Sequence, residues 1–337
     1  MDFQLTITQN IVLFLFSAVL IWFFCNKLST IVDFIDDEFH LGAAFGGTIM
    51  LAIVTNLPEI AIAINGAVKG TIDVAVGNVL GGIAIQSALL ILFDFASRKH
   101  DKKPLSTLTS SETGLLQGLF LVGILCMVMV GKQFPENFIF SRTTPPELLI
   151  VALWITSILA MKKFQKFNPK TPIVEVKKTT KLNKKSAVIG LLFISMIVLI
   201  FGVVLENTSS AIASYYKIDG VIFGATVLAL VTSLPEISGG LAFVKNKSYT
   251  PIIDDIFGGN AFLPTLFLPM IWITNSAILP KTQSVNLYLT AVAMLITLIY
   301  IIGMVIKSRK RYFGMGVDSW VALLIYSLSV IGLFFIA

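Results

Sequence analysis

The sequence predicts an all-α integral membrane protein of about ten transmembrane helices, arranged as two inverted five-helix repeats, and three observations carry that expectation. The first is composition: of 337 residues, 56% are hydrophobic and 13% charged, with a mean hydropathy of +0.88. That is far more apolar than a water-soluble domain, and the apolar runs reach the roughly 20 residues a helix needs to cross a bilayer. The second is duplication. LAIVTNLPEI, ending at Ile60, returns as LALVTSLPEI, ending at Ile237, and in the same register, 177 positions on, GNVLGGIAIQ from Gly77 meets DDIFGGNAFL from Asp254. The third is a single long polar stretch from Lys162 to Lys185, with nine lysines, between the two copies.

Apolar runs set against polar breaks place the spans near residues 9–30, 41–67, 72–96, 113–131, 146–162, 187–214, 218–244, 251–276, 285–306 and 318–336. The first run follows Asp2 and polar residues rather than a basic stretch, so it reads as a span and not as a cleaved signal. The units are then 1–161 (first repeat, spans one to five), 162–186 (basic linker) and 187–337 (second repeat, spans six to ten). Five is odd, so the second repeat enters the membrane from the opposite side, and the symmetry axis lies in the membrane plane. With the linker in the cytoplasm, twenty lysines and arginines fall on the cytoplasmic side and five outside (Lys69, Lys132, Arg142, Lys217, Lys281). This asymmetry orients a multi-pass cell-membrane protein with both termini outside. It also accounts for the net charge of +6 without a nucleic-acid partner, leaving inorganic cations and the bilayer as the partners and the oligomeric state undefined.

Cys25 and Cys126 lie in or beside apolar runs without motif spacing and read as small apolar fillers. His40 and His100 fall in polar connections, which excludes a histidine-ligated metal centre within the spans. The acids Asp33, Asp36, Asp37 and Glu38 are expected in water between the first two spans.

Within each duplicated phrase one carboxylate, Glu59 or Glu236, interrupts an apolar run. An ionisable group at membrane depth is costly, and two at matched positions mark a site. Pro58 and Pro235 precede them; proline removes a donor and clashes with the preceding turn, so each helix should break just before its glutamate. Such a break is tolerated where it is buried in protein or lines a watery cavity. Thr55 and Thr232 lie one turn away. Glutamate, threonine and freed carbonyl oxygens are what a hard cation such as Ca2+ or Na+ requires. If the axis brings the breaks together, the two carboxylates cannot both stay ionised cheaply, and one Ca2+, two protons or several Na+ would neutralise them.

The second duplicated segments look built for close approach through Gly81 and Gly82, matched by Gly258 and Gly259. On helical spacing Asn78, Gly82 and Gln86 share one face, as do Asp255, Gly259 and Leu263. Asn56, Ser233, Asn78, Gln86, Asp255 and Asn260 are the further candidate cation ligands. For Gln86 and Asn260 the competing reading is an amide that only bridges helices. For Asp254 and Asp255 it is an N-terminal cap of the eighth span, where acids favour the helix dipole.

At Thr55-Asn56-Leu57-Pro58-Glu59 and Thr232-Ser233-Leu234-Pro235-Glu236, each followed by a glycine-pair helix, the chain resembles the calcium/cation antiporter superfamily. The resemblance is nearest to the membrane region of its sodium/calcium exchanger branch, with two repeats reading roughly G-T-S-x-P-E and G-S-N-I-x-N or G-S-N-I-x-D. It implies a transporter rather than an enzyme, with no cofactor, that exchanges Ca2+ for Na+ by alternating access around Glu59 and Glu236, with Thr55 and Thr232 as oxygen ligands. Gly82 and Gly259 stand where that pattern has serine, and Gln86 and Leu263 where it has its late Asn and Asp. Leu263 removes a charge that the pattern associates with Na+. Asn56-x-x-Glu59 also resembles the G-N-x-x-E motif of calcium/proton exchangers. A Ca2+/H+ or other cation/proton antiporter is therefore one alternative, and a transport-inactive ion-binding membrane protein another. An intramembrane aspartyl protease would need a G-x-G-D motif, which the chain lacks.

Overall fold

A computed structural model describes residues 5–39, 50–109, 111–135, 143–167 and 183–336. The start of the expected second span, His40, Arg142 and linker residues 168–182 lie outside the described residues. In chain order the helices are α1 Ile7–Phe39, α2 Leu51–Thr55, α3 Leu57–Lys69, α4 Ile72–Ser97, α5 Leu105–Leu108, α6 Glu112–Gly131 and α7 Pro145–Phe167. Then follow α8 Lys184–Tyr216, α9 Gly220–Phe223, a π-helical turn Gly224–Leu228, α10 Ala229–Thr232 and α11 Leu234–Lys245. The chain ends with α12 Thr250–Phe262, a 3-10 turn Leu263–Leu266, α13 Phe267–Thr274, α14 Ser284–Ile306 and α15 Val317–Ile336. No strand occurs among the described residues.

Among the described residues seven stretches are long and apolar enough to cross a membrane: Ile7–Val32, Ile72–Ser97, Glu112–Gly131, Pro145–Lys163, Lys184–Tyr216, Thr250–Thr274 and Ser284–Ile306. Gly220–Thr232 and Leu234–Lys245 form an eighth together, bent by 42° at their break, and Val317–Leu333 is a shorter apolar helix. The described part of the expected second span is α2 and α3. The repeat register extends to whole elements, since α1 and α8 are each 33 residues long and begin and end 177 positions apart.

α1 and α8 pack along one another and turn large apolar side chains outward, among them Val12, Leu15, Phe16 and Val19 on α1 and Ile189, Leu192, Phe193 and Met196 on α8. A face of that kind belongs against lipid. One expectation is corrected here: α1 runs through Phe39, so the acids from Asp33 to Glu38 sit on a continuing helix and not in a connection. Acidic residues cost a helix little once it leaves the apolar layer. Glu38 meets Lys184 at 2.8 Å, an exposed pair of small energetic worth.

The interior is organised around α4, which is buried over most of its length and packed by α3, α9, α12, α14 and α15. Small residues permit this. A Cβ at Gly77 would lie 2.5 Å from the Val221 carbonyl oxygen, and one at Gly81 would overlap the backbone of Ala225. Backbone therefore meets backbone where α4 crosses α9 and the π-helical turn. Gly82 departs from the expected close packing, because a Cβ there would meet nothing within 4 Å. Gly258 instead borders a small cavity of about 20 Å³ with Ala52, Gln117 and Trp154.

At the far end of α4 a buried ion pair closes the fold. Asp94 Oδ1 accepts from Arg311 Nη1 at 2.9 Å and from the Leu105 N–H at 2.7 Å, and Asp94 Oδ2 accepts from the Gly316 N–H at 2.7 Å. Arg311 Nη2 donates to Ser97 Oγ at 2.7 Å and to the Lys103 carbonyl. Arg311 counts among the orienting charges of the sequence, yet it is an internal cross-link whose two terminal nitrogens both donate to buried acceptors.

The glycine geometry predicts opposite outcomes for neighbouring substitutions. Gly81→Ala should lower the thermal unfolding midpoint in detergent, at a cost of about 1–3 kcal/mol for overpacking, whereas Gly82→Ala should leave it unchanged or slightly raised. Equal midpoints for the two variants would contradict the crossing described.

Candidate ion-binding site

Two copies of one local structure position the glutamates. α2 ends at Thr55, Asn56 takes φ −89° and ψ 15°, and α3 starts with Pro58 in its first turn. α10 ends at Thr232, Ser233 takes φ −84° and ψ 2°, and α11 starts with Pro235 in its first turn. Proline is accommodated in a first helical turn but not in a helix interior, so each span becomes two helices.

The break residues satisfy the ending helix with their own side chains. Asn56 Nδ2 donates to the Ala52 carbonyl at 2.6 Å, and Ser233 Oγ to the Ala229 carbonyl at 2.8 Å; Ala52 and Ala229 are themselves repeat mates. Thr55 Oγ1 donates to the Leu51 carbonyl at 3.0 Å and Thr232 Oγ1 to the Ala229 carbonyl at 3.2 Å. Each threonine hydroxyl is turned toward a carbonyl of its own helix and keeps lone pairs for another partner.

Glu59 and Glu236 therefore stand in the first turns of α3 and α11, where the helix dipole favours negative charge. Glu59 is fully buried and Glu236 6% exposed, and none of their four carboxylate oxygens has a hydrogen-bond partner within the protein. The two lie close enough to feel one another's charge, with Thr232 near Glu59 and Asp255 within electrostatic range of Glu236. Cys25, expected as filler, is buried within range of both.

The second segments close the site at the symmetry axis. Asn260 Nδ2 approaches the Ile83 carbonyl at 3.5 Å, and these residues are 177 apart. A residue can touch its own repeat mate only beside the axis relating the halves, so the axis passes between α4 and α12. Asn260 Nδ2 also donates to Ser87 Oγ at 3.2 Å, leaving its Oδ1 unpartnered. Thr232 Oγ1 reaches Asn78 Oδ1 at 3.4 Å. Gln86 is buried with its Nε2 unpartnered, as are Asn78 Nδ2 and Asn56 Oδ1.

The repeat symmetry is broken at the second glycine of each pair. A Cβ on Gly259 would come within 3.1 Å of Asn56 Nδ2, while its mate Gly82 faces open space. The mate of Asn56 is the shorter Ser233, already turned to its own helix. Asp254 and Asp255 do not cap α12, whose first turn carries no acid; both are half-buried in its second turn, with Asp254 Oδ1 unpartnered.

Buried oxygens without partners are rare in folded proteins and call for an explanation. Those of Glu59, Glu236 and Asn56 at the two helix breaks and of Asn260 on α12 are all hard donors, and no group of three or more His, Cys, Asp or Glu suited to a metal occurs among the described residues. The arrangement can hold a hard cation through two charges and several neutral oxygens, and it offers no soft-metal centre.

Besides Asp94, two buried carboxylates are not singled out by the sequence. Glu206 on α8 is fully buried and hydrogen-bonded, and Glu147 in the first turn of α7 is fully buried with both oxygens unpartnered. The signal that singled out Glu59, a lone acid in an apolar run, was present at Glu206 without a second copy to draw attention to it.

Relief of buried charge gives the site a stability signature. Glu59→Gln and Glu236→Gln should each raise the unfolding midpoint of the ion-free protein and abolish the further rise that a divalent cation confers on the unaltered chain. Undiminished cation stabilisation in both variants would remove these residues from the site.

Comparison with known proteins places the architecture. The family model described as sodium/calcium exchanger protein matches residues 9–168 and 185–336. The inner membrane protein YrbG of Escherichia coli (strain K12) is 24% identical over 235 residues, covering 66% of this chain and 69% of that one. The solved structure of native YfkE is similar with a TM-score of 0.68 at 15% identity, over 97% of this chain and 92% of that one. The sodium-calcium exchanger NCX_Mj, soaked with 2.5 mM Na+ and 10 mM Sr2+, gives a TM-score of 0.61 at 19% identity, over 97% and 98% of the two chains. At such identities the structural likeness speaks to the fold alone.

Proposed function

Since the chain belongs to the sodium/calcium exchanger protein family by that match across both halves, it is a cation antiporter of the membrane, and we propose that it exchanges Ca2+ for Na+ at a site between its two repeats. The observation carrying this reading is the pair of buried glutamates at matched helix breaks, all four oxygens unpartnered. One Ca2+ cancels both charges and takes oxygen ligands at the distances such a cluster can supply. Thr55, Thr232, Asn56, Asn78 and Asn260 are the neutral oxygens within the same layer, and Ser233, Gln86 and Asp255 complete the candidates. Pro58 and Pro235 create the breaks.

The family's repeats correspond to units 1–161 and 187–337 in this reading, joined by the basic linker 162–186. Basic residues at 98–103, 245–247 and 307–311 mark one face as cytoplasmic. The face with Lys69, Lys132, Lys217 and Lys281 is then extracellular, together with both termini.

A second reading, Ca2+ against H+, is favoured by Leu263. It is fully buried and apolar, and the charges that act on Glu236 among the described residues are those of Glu59 and Asp255. Two carboxylates match two protons as well as one Ca2+. Flux of radioactive Ca2+ into proteoliposomes decides: uptake driven by a Na+ gradient at constant pH supports the first reading, uptake driven by a pH gradient without Na+ the second, and no uptake under either sinks both. Glu59→Gln and Glu236→Gln should each reduce uptake at least a hundredfold while the protein stays folded.

A further inference from the structure

The buried carboxylate that the site does not use holds a seam. Glu206 Oε1 accepts from Thr71 Oγ1 at 2.5 Å and from Ser210 Oγ at 2.9 Å, and its Oε2 accepts from Asn65 Nδ2. Asn207 Oδ1 accepts from Asn65 Nδ2 at 2.9 Å and from Lys69 Nζ at 2.6 Å. Both Glu206 oxygens are occupied by donors, so this group is a bonding hub and not an ion ligand. It joins α8 to the end of α3 and to Thr71, directly before α4.

This seam covers one of the site glutamates. Gly202, one turn before Glu206 on the same face of α8, lies so close to α3 that a Cβ would stand 2.5 Å from Ala61 Cβ and 3.3 Å from the Pro58 carbonyl oxygen. α8 thus rests on the break beside Glu59. Any path to Glu59 between α3 and α8 from the face of Lys69 must first part the Glu206 bonds.

The repeat supplies an internal control. The mates of Glu206, Asn207, Asn65 and Thr71 are Ser29, Thr30, Ala242 and Ser248. Ser29 Oγ donates to the Cys25 carbonyl at 3.2 Å and Thr30 Oγ1 to the Asn26 carbonyl at 3.2 Å. Both bond their own helix instead of crossing to α11. The cross-helix bond on that side is Ser238 Oγ to Asn26 Oδ1 at 2.5 Å. α3 lies along α8 over a longer contact than α11 makes with α1.

From this asymmetry we propose that Glu206 is a positioning residue, a one-sided latch that keeps the α3–α8 seam closed and biases the antiporter toward access from the opposite, basic face. The proposal rests on the antiporter reading. A latch acts on the population of states, and the apparent affinity at each face scales with the fraction of molecules open to it. Releasing it should strengthen apparent Ca2+ affinity at the Lys69 face and weaken it, by a smaller factor, at the basic face.

The test measures the Ca2+ KM separately from each side, in oriented membrane vesicles, for the unaltered protein, Glu206→Gln and Glu206→Ala. The expected result for Glu206→Ala is a shift of on the order of tenfold in the ratio of the two KM values, through a lower KM at the Lys69 face. Glu206→Gln, which keeps the acceptor for Thr71 and Ser210 but opposes an amide N–H to that of Asn65, should fall between. A lesion that is merely structural raises both KM values or lowers kcat alone, and either result, or an unchanged ratio, overturns the latch. Should Glu206→Ala fail to fold, Asn65→Ala and Thr71→Val open the same seam from the other side and must give the same shift. Absence of exchange by the unaltered protein overturns the antiporter reading itself, an outcome distinct from exchange with an unmoved ratio.

Discussion

Two carboxylates that the protein itself leaves unpartnered, deep in an apolar body, are the constraint around which the rest is arranged. Removing an ionised group from water costs several kcal/mol even after relaxation, and Glu59 and Glu236 lie within each other's field. The fold answers in part: each carboxylate stands at a helix N-terminus, where partial positive charge gathers. In the proposed exchange a cation or protons remove the remainder of the deficit. A permanent lysine partner would have made the protein more stable and closed the site to exchange.

The need for two helix N-termini at mid-depth accounts for the less regular features. Pro58 and Pro235 forbid a continuous helix, and Asn56 and Ser233 bond the ending helix with their side chains in place of lost backbone partners. α4 must approach closely enough to bring Asn78 to Thr232, which Gly77 and Gly81 permit by removing side chains from the crossing. The long lipid-facing helices α1 and α8 then shield this interrupted backbone from hydrocarbon, where unpaired groups are not tolerated.

Duplication made much of this legible before any coordinates. A one-dimensional register of 177 residues located both glutamates, both breaks and the paired segments, and it named the contact between Asn260 and Ile83 only in retrospect. What stayed hidden was whatever occurs once. Glu206, Glu147 and the Asp94–Arg311 pair have no acidic or basic mates in the other half, and the cross-helix partners of Glu206 (Asn65 and Thr71) and the guanidinium partner of Asp94 are remote in sequence. Glycine identity was equally mute: Gly81 and Gly82 are adjacent letters, yet the helical turn of 100° between neighbours puts one against Ala225 and the other toward open space. Helix length misled at α1, because charged residues end an apolar run without ending a helix.

The clamp at the end of α4 also bears on how the chain is made. Asp94 belongs to the first repeat, while Arg311 follows 217 residues later, after nearly all of the second repeat has been synthesised. For most of translation the carboxylate has no guanidinium, so the end of α4 must wait near water at the membrane edge. Its final seating becomes a late event of biogenesis, and loss of the last two helices would leave the first half complete in sequence but unfinished in structure.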